Sequence, residues 1–248
     1  MHMLCGKKIA CIIPARLKST RFPRKMLCIL KDKPLLQWVW EAAKQVPFFD
    51  ELAFAIDSEE TARLIESFGG SYYLTSEACE SGTDRLAELC QSGIVDADIY
   101  VNWQGDEPFI QKKMIEELLQ SCDKDGDIWT LKKRITKEEE ITSVHIAKVV
   151  TDAKECALYF SRSPIPHYRE EGERIYYKHV GLYAFTKKAL LHIATLDHCL
   201  LEKAEKLEQL RFLFNHLQIK VHETEGEIFG IDLPEHLVAA ERHVSKGF

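Results

Sequence analysis

The chain has 248 residues, of which 46% are hydrophobic and 29% charged, and its formal net charge is -6. This length suits one large α/β domain or a domain with a subdomain, and the acidic balance argues against a protein that coats nucleic acid. No apolar run reaches the roughly 18 residues of a membrane span, and residues 1–8 lack the long apolar stretch of a signal peptide. We therefore expect a cytoplasmic protein that contacts neither nucleic acid nor membrane.

The cysteines give no sign of a metal site. Eight of them are scattered along the chain, and none belongs to a Cys-x-x-Cys pair, so a zinc site is not supported. Cys11 and Cys90 lie in apolar or helical patterns, which predicts buried free thiols.

Strand patterns alternate with helix patterns through the first half of the chain. This alternation predicts βαβ units and an α/β fold with a mostly parallel sheet and helices on both faces. The predicted strands are 9–13, 52–56, 71–74 and 98–103. The predicted helices are 34–45, 59–68, 84–91 and 112–121. Either Asp57 or Ser58 can cap the second of these helices.

The second half of the chain has a different character, and its charged stretch 132–142 cannot be assigned. The predicted strands are 146–151, 157–161, 178–185 and 219–222. The predicted helices are 187–195, 203–216 and 234–244. Because there is no repeat, low-complexity tract or flexible linker, we predict a single domain, 1–248, with a subdomain insertion at about 125–215.

A basic loop follows the first predicted strand. Residues 16–33 carry seven basic side chains against a single acidic one. Open α/β sheets bind anionic ligands at the carboxyl ends of their strands, and Arg16 and Lys25, which bracket Ser19 and Thr20, suit a nucleoside triphosphate. The loop has neither a Walker A ending nor the glycines of a dinucleotide fingerprint. A solvated cationic turn explains the same residues about equally well.

Two acidic turns are candidates for a metal site. Asp106 lies in Gln-Gly-Asp-Glu-Pro, directly after the strand predicted at 98–103. Mg²⁺ is held by one or two carboxylates together with substrate oxygens, so Asp106 is a candidate ligand, with Glu107 and a simple polar turn as the alternatives. Asp232 precedes the last predicted helix and reads locally as a helix cap. It becomes a candidate ligand only if the fold brings it opposite Asp106.

A Ser-Gly-Thr-Asp-Arg segment precedes the helix predicted at 84–91. Its backbone N–H groups and hydroxyls, at Ser81 and Gly82 among others, can contact an anion or a base. A capping turn is the alternative, and local grounds favour it slightly.

Polar residues in the second half could bind a hydroxylated acidic sugar. His179 and Tyr183 are four residues apart in a strand pattern, so both point to one face. Arg162 is a further donor, and the pair Glu208 and Gln209 belongs to a helical pattern whose polar residues line a cleft or face water. A satisfied core histidine and tyrosine is the alternative for His179 and Tyr183.

Taken together and in order, these motifs resemble the CMP-Kdo synthetases, the 3-deoxy-manno-octulosonate cytidylyltransferases. The resemblance spans nearly the whole chain, and the combination of motifs is far more specific than any single one. The matching residues are 12–16, 19–23, 25, 33–34, 81–85, 101–102, 104–108, 157–162, 165–166, 179–183, 207–211, 232 and 234–235.

The resemblance implies a Rossmann-like nucleotidyltransferase fold with an inserted sugar-binding and dimerising subdomain. It implies that CMP is transferred from CTP to the anomeric hydroxyl of Kdo, releasing pyrophosphate and supplying CMP-Kdo for lipopolysaccharide synthesis. It also implies Mg²⁺ as cofactor and a homodimer.

The resemblance assigns roles residue by residue. The catalytic set would be Arg16, Lys25, Asp106 and Asp232, in which the two aspartates bind Mg²⁺. The nucleotide would be held by Ala15, Arg16, Ser19, Thr20, Lys25, Ser81, Gly82 and Gln104. The sugar acid would be surrounded by Arg21, Arg85, Arg162, His179, Tyr183, Glu208 and Gln209.

The sequence departs from the family pattern in three places. Arg24 stands where a glycine usually precedes Lys25, and a glycine there would permit unusual backbone angles. Residues 142–145 replace an asparagine-proline-asparagine-like stretch, and His236 replaces an acid close to Asp232.

Two other functions remain open from the sequence. One is a cytidylyltransferase for a different sugar acid, such as an amino-Kdo or a nonulosonic acid. The other is a non-catalytic nucleotide or sugar sensor on the same fold, although a sensor has no need of paired metal carboxylates.

Overall fold

The computed structural model describes residues 6–19, 22–124, 126–227 and 229–245. It divides into two compact units. Residues up to Lys112, together with those from Glu227 onward, form unit 1, and Lys113–Gly226 form unit 2. The insertion predicted at about 125–215 lies within the range of unit 2, and its role in sugar binding and dimerisation stays a prediction.

Unit 1 contains a parallel sheet with helices in the connections. Its strands are β1 (Ile9–Ala15), β2 (Ile29–Leu30), β3 (Lys33–Pro34), β4 (Glu51–Ile56), β5 (Tyr72–Leu74) and β6 (Ile99–Asn102). Its helices are α1 (Leu35–Ala43), α2 (Glu59–Ser67), α3 (Gly82–Gln91) and α9 (Pro234–Ser245). The parallel strands lie in the order β6-β1-β4-β5, while β2 and β3 form a separate antiparallel pair.

Strand β1 is the centre of unit 1. It pairs with β6 on one side and β4 on the other, and every one of its residues is buried. A parallel strand covered on both faces needs a continuous apolar run rather than an alternating one, which is why every residue of Ile9–Ala15 is apolar. Since parallel neighbours end at the same edge, Ala15 lies opposite Ile56, and Asn102 lies opposite Ile12.

Unit 2 has a mixed sheet. Its strands are β7 (Ile128–Arg134), β8 (Lys148–Thr151), β9 (Ala157–Ser161), β10 (Tyr177–Thr186) and β11 (Ile219–Glu223). Its helices are α5 (Glu138–Thr142), α6 (Lys187–Ile193), α7 (Leu200–Glu205) and α8 (Gln209–Phe214). Helix α4 (Lys112–Leu118) also belongs to unit 2, except for its first residue. Strand β7 pairs in parallel with β11 and antiparallel with β10, and β8 pairs antiparallel with both β9 and β10.

The predicted α/β class is confirmed, and most predicted elements are present within a few residues. The prediction of one helix at 203–216 is wrong, because α7 ends at Glu205 and Lys206 adopts a left-handed conformation with φ 54°. Strand β7 was not predicted. Its second half, Lys132 to Arg134, is basic, yet Lys132 is buried with its ammonium donating to Thr151 Oγ1 at 2.9 Å.

Two sequence expectations about the whole chain can be compared with the described residues. Cys11 and Cys90 are buried thiols that form no disulfide, as predicted. Across residues 6–19, 22–124, 126–227 and 229–245, we find no helix with the length and apolar character that crossing a membrane requires.

Arg24 adopts the conformation that a glycine would favour. It has φ 58° and ψ 27° and immediately precedes a 3-10 turn at Lys25–Leu27. Its guanidinium forms an exposed ion pair with the Glu60 carboxylate of α2. Arg24 therefore takes a left-handed backbone conformation itself, and its side chain adds a link from the loop to α2.

Replacing Arg24 separates the backbone cost from the ion pair. We expect Arg24→Gly to be more stable than Arg24→Ala by about 1 kcal/mol. Both variants lose the ion pair, but the left-handed backbone conformation is unfavourable for alanine and not for glycine. Urea unfolding of the two variants measures the difference. Equal stabilities would show that the left-handed conformation is not retained in solution.

Candidate functional site

A cavity of about 190 Å³ lies in unit 1. It contains most of the residues predicted to bind the nucleotide and the metal. Its lining comprises Pro14, Arg16, Ser19, Lys25, Met26, Glu80, Ser81, Gly82, Arg85, Gln104, Asp106 and Asp232. Residues from four separate stretches of sequence thus meet at one place.

The parallel sheet explains this convergence. Strands β1 and β6 are neighbours, so the basic loop after Ala15 and the acidic turn after Asn102 leave the same edge. Ile231 N–H donates to Asp106 O at 2.9 Å, which places Asp232 beside Asp106. Helix α3 begins at the cavity with a capping box formed by Ser81 and Asp84.

Lys25 joins the two predicted metal ligands. Its ammonium donates to Asp106 Oδ2 and to Asp232 Oδ1, the latter at 2.9 Å. The Lys25 side chain is only 10% exposed. The fold therefore brings Asp232 opposite Asp106, which was the condition for treating Asp232 as more than a helix cap.

The charges in this cluster depend on one another. Burial lowers the pKa of Lys25, but the carboxylates of Asp106 and Asp232 more than offset that effect, so its pKa is raised and the ammonium is retained. Glu107 has a buried Oε2 with no hydrogen-bond partner. Burial, followed by the charges of Asp106 and Asp232, raises the pKa of Glu107 well above its usual value. Glu107 is thus a poorer anionic ligand than its neighbour Asp106.

The donor set fits Mg²⁺. Two carboxylates bonded to one ammonium have oxygens within about 6 Å of each other, and carboxylate oxygens are hard ligands. The described residues include no group of three or more His, Cys, Asp or Glu side chains arranged to hold a metal ion. Two aspartates suit Mg²⁺, which takes one or two carboxylates and completes its shell with water and substrate phosphates.

Gln104 has little freedom in the cavity wall. Its amide donates to the Oδ1 of the buried Asn102 at 2.7 Å. A Cβ at Gly82 would lie 2.9 Å from Gln104 Nε2 and 3.0 Å from Pro14 Cγ. The absence of a side chain at Gly82 therefore lets the start of α3 approach Gln104 closely.

Arg85 lines this cavity but is 2% exposed. Its guanidinium donates to Asp57 Oδ2 at 2.7 Å, to Thr75 Oγ1 at 2.5 Å and to Ser76 O at 3.3 Å. The prediction placed Arg85 among the sugar-binding residues. The structure gives its guanidinium these protein partners within unit 1, and a contact between Arg85 and a sugar stays a prediction.

The predicted sugar residues other than Arg21 and Arg85 belong to unit 2. His179 and Tyr183 point to one face of β10, with ring centroids 5.3 Å apart. His179 Nε2 lies 3.0 Å from Thr130 Oγ1, which is also close to the carbonyls of Val180 and Leu182. The Thr130 hydroxyl has one proton for these three acceptors, so the direction of its bond with His179 Nε2 depends on the tautomer of the imidazole.

Burial controls the protonation of this pair. It lowers the pKa of His179 to about 3, so the imidazole is neutral at physiological pH. Burial, and then the Glu208 carboxylate, raises the pKa of Tyr183, so the phenol stays protonated.

Two predicted sugar contacts have unsatisfied polar atoms. Tyr183 Oη and Gln209 Nε2 are buried and lack a hydrogen-bond partner. Buried polar atoms are nearly always paired in folded proteins, so such atoms mark a place where a ligand or water completes the bonding. Both atoms can donate to the hydroxyls or the carboxylate of a sugar acid.

Arg162 is held by the backbone of unit 2. Its guanidinium donates to Glu205 O at 2.6 Å, to Val144 O at 2.9 Å and to Lys206 O at 3.2 Å. These bonds fix the guanidinium plane and occupy donors that a sugar carboxylate would otherwise receive.

Some predicted residues lie elsewhere. Thr20 and Arg21 fall outside the described residues, and Ala15 ends β1 without lining the cavity. Pro14, Met26 and Glu80 line it but were not predicted. All three are sequence neighbours of predicted residues, and Pro14 also belongs to the matching stretch 12–16, so these signals could have found them.

The chain matches known proteins over most of its length. The cytidylyltransferase family model matches residues 10–219. The 3-deoxy-manno-octulosonate cytidylyltransferase of Thermodesulfovibrio yellowstonii is 45% identical over 94% of this chain and 96% of that protein. The protein of the same name from Geobacter metallireducens is 44% identical over 93% of this chain and 95% of its own.

This chain belongs to the 3-deoxy-manno-octulosonate cytidylyltransferase family. A solved structure agrees: a CMP:2-keto-3-deoxy-manno-octonic acid synthetase complexed with CTP has a TM-score of 0.92 and 37% identity, covering 97% of this chain and all of that one. The predicted family, fold class and enzyme class are confirmed.

Two departures from the pattern of this cytidylyltransferase family have visible contacts. Asp232 N–H donates to His236 Nδ1 at 3.2 Å, so His236 contributes to the start of α9 beside a predicted metal ligand. In unit 2, the buried ammonium of Lys148 donates to Ser143 O and Ile146 O, each at 2.8 Å. The backbone of the altered stretch 142–145 is therefore anchored to Lys148 through Ser143 O.

The buried neutral His179 predicts a pH dependence of stability. Unfolded, its imidazole binds a proton below about pH 6.5, whereas in the folded chain it does so only near pH 3. Stability is therefore lost as pH falls below about 6.5, by roughly 1.4 kcal/mol per pH unit more in the wild type than in His179→Gln. Urea unfolding across about pH 4.5 to 7.5 measures both slopes, and parallel curves would contradict a buried neutral imidazole.

Proposed function

We propose that this protein transfers CMP from CTP to the anomeric hydroxyl of Kdo, releasing pyrophosphate and forming CMP-Kdo for lipopolysaccharide synthesis in the cytoplasm. The observation that carries the proposal is the cluster of Lys25, Asp106 and Asp232 in the unit 1 cavity. The names of the relatives, and of the solved CTP complex, supply the substrates.

Unit 1 provides what a triphosphate needs. Arg16 and Lys25 carry positive charge on the cavity wall, where they can offset the charge that develops on the leaving pyrophosphate. Ser19, Ser81 and the first backbone N–H groups of α3 are donors for phosphate or ribose oxygens. Phosphoryl transfer requires little covalent work from protein groups, so holding CTP in position is their main contribution.

Asp106 and Asp232 would hold Mg²⁺, which supplies positive charge that neutralises the triphosphate and lowers the pKa of the attacking hydroxyl. Lys25 holds these carboxylates close together by donating to both. With Mg²⁺ held by the carboxylates, the Lys25 ammonium would be available to the phosphates.

Unit 2 provides donors and acceptors suited to a sugar acid. Tyr183 Oη and Gln209 Nε2 are donors without partners, and the neutral imidazole of His179 lies beside Tyr183, with ring centroids 5.3 Å apart. A sugar with several hydroxyls and a carboxylate pairs with such a mixed set.

Turnover with defined sugar acids tests the proposal. We expect the purified protein to release pyrophosphate from CTP with Mg²⁺ and Kdo, and to do so far more slowly with amino-Kdo or a nonulosonic acid. Release with another sugar acid but not with Kdo would overturn the substrate assignment.

The aspartates give the matched test of the metal role. Asp106→Ala and Asp232→Ala should each reduce kcat at least about 100-fold while circular dichroism stays unchanged, because each removes a ligand for the cation that stabilises the transition state. Asp32→Ala, which removes an exposed aspartate of the same unit, is the control. Near-normal turnover in either cavity variant would remove that residue from the metal role.

We also propose that the protein is a homodimer. Support comes from large apolar side chains exposed on unit 2, where Leu200 is 84%, Leu158 62% and Phe214 61% exposed. Such side chains are costly to leave in water and favour association. A monomeric mass by sedimentation at micromolar concentration would contradict the dimer.

A further inference from the structure

We propose that Asp57 is a positioning residue for the triphosphate loop, acting through the backbone N–H of Leu17. The proposal rests on the proposed function, since it takes the loop after β1 to bind the triphosphate. Asp57 lies outside the predicted site residues, and it does not line the cavity where the triphosphate would bind.

One carboxylate holds two parts of the site. Asp57 Oδ1 accepts from Leu17 N–H at 2.9 Å, and Asp57 Oδ2 accepts from Arg85 Nη2 at 2.7 Å. The Asp57 side chain is 7% exposed and that of Arg85 2%. Leu17 directly follows Arg16, a cationic residue of the cavity wall, so the Leu17 bond determines where the loop turns after Arg16.

The position of Asp57 follows from the sheet. Strand β4 ends at Ile56, which lies opposite Ala15, the last residue of β1. Asp57 and Arg16 are therefore the first residues beyond two neighbouring parallel strands. Ser58, rather than Asp57, caps α2 by accepting from Glu60 N–H, which leaves both Asp57 oxygens for the loop and Arg85.

Arg85 extends the connection to α3. The start of this helix, Ser81 and Gly82, lines the same cavity, and Arg85 lies one turn further along it. The Asp57 carboxylate thus links the basic loop to the helix whose first N–H groups face the cavity, and it fixes both anion-binding elements at one point.

Two other links of the loop close to Leu17 are weaker. Lys18 pairs with Glu77 at 2.6 Å, but their side chains are 83% and 66% exposed. Arg16 Nη1 reaches Glu80 O only at 3.3 Å and in an exposed position. Because solvent screens exposed pairs and leaves them mobile, the buried bond to Leu17 is better able than these two links to fix the loop beside Arg16.

The competing explanation is that Asp57 and Arg85 form a core ion pair that contributes stability alone. The two explanations differ at the Leu17 bond. Two double variants separate them while sharing the same change at Arg85: Asp57→Asn with Arg85→Met keeps an acceptor for Leu17 N–H, and Asp57→Ala with Arg85→Met removes it. Both abolish the ion pair without leaving an unpaired buried charge.

We expect the alanine double variant to have a KM and a Kd for CTP about tenfold higher than the asparagine double variant, the size of effect that one hydrogen bond gives. The value of kcat at saturating CTP should change much less, because the loop is displaced rather than missing. Equal CTP affinities in the two double variants would overturn the proposal, leaving Asp57 with a role in stability alone.

Two further measurements keep the test decisive. If a double variant fails to fold, the Leu17 residue is replaced by its α-hydroxy acid, which removes the N–H donor and keeps the side chain. We again expect about a tenfold loss of CTP affinity. Unchanged affinity would overturn the proposal. Ser58→Ala, which loses the α2 cap beside Asp57, should lower the melting temperature without changing the KM for CTP.

The readouts also separate this proposal from the proposed function. Wild-type protein that binds CTP but gives no turnover with Kdo would contradict the sugar assignment, while the Kd for CTP of the variants would still decide the role of Asp57.

Discussion

The unit 1 site depends on one interaction. The Lys25 ammonium lies between Asp106 and Asp232 and donates to both carboxylates. Two carboxylates so close together repel each other, and partial burial strengthens that repulsion. One cation bonded to both makes the arrangement stable and leaves the cluster with a net negative charge. In the proposed function, the same two carboxylates would hold Mg²⁺ and the ammonium would be available to the triphosphate.

The parallel sheet is what brings these three residues together. Lys25 follows β1, Asp106 follows β6, and Asp232 is placed beside Asp106 by a backbone hydrogen bond from Ile231. The same geometry places Asp57 after β4, within reach of the loop. Most of the site in unit 1 is therefore a consequence of strand order, because residues just past the ends of neighbouring parallel strands share one edge.

Much of the fold could be predicted from the sequence, since the apolar runs of β1, β4 and β6 have the signature of buried parallel strands. Strand β7 was missed because its basic end hides the pattern, and the break between α7 and α8 was missed because Lys206, a lysine, takes a left-handed conformation. Residue types located the cavity residues, but they could not show that the Arg85 guanidinium turns inward to Asp57. The contact between Arg85 and Asp57 joins residues 28 positions apart in the sequence, and a local sequence pattern does not reveal such a contact.

The crystal structure of the protein with CTP and Mg²⁺ tests the central claim most directly. The account predicts the triphosphate in the unit 1 cavity, oxygens of Asp106 and Asp232 at about 2.0–2.1 Å from a magnesium ion, and the Lys25 ammonium moved from the carboxylates to a phosphate oxygen. A triphosphate bound away from Arg16 and Lys25, or a metal that contacts neither aspartate, would contradict it.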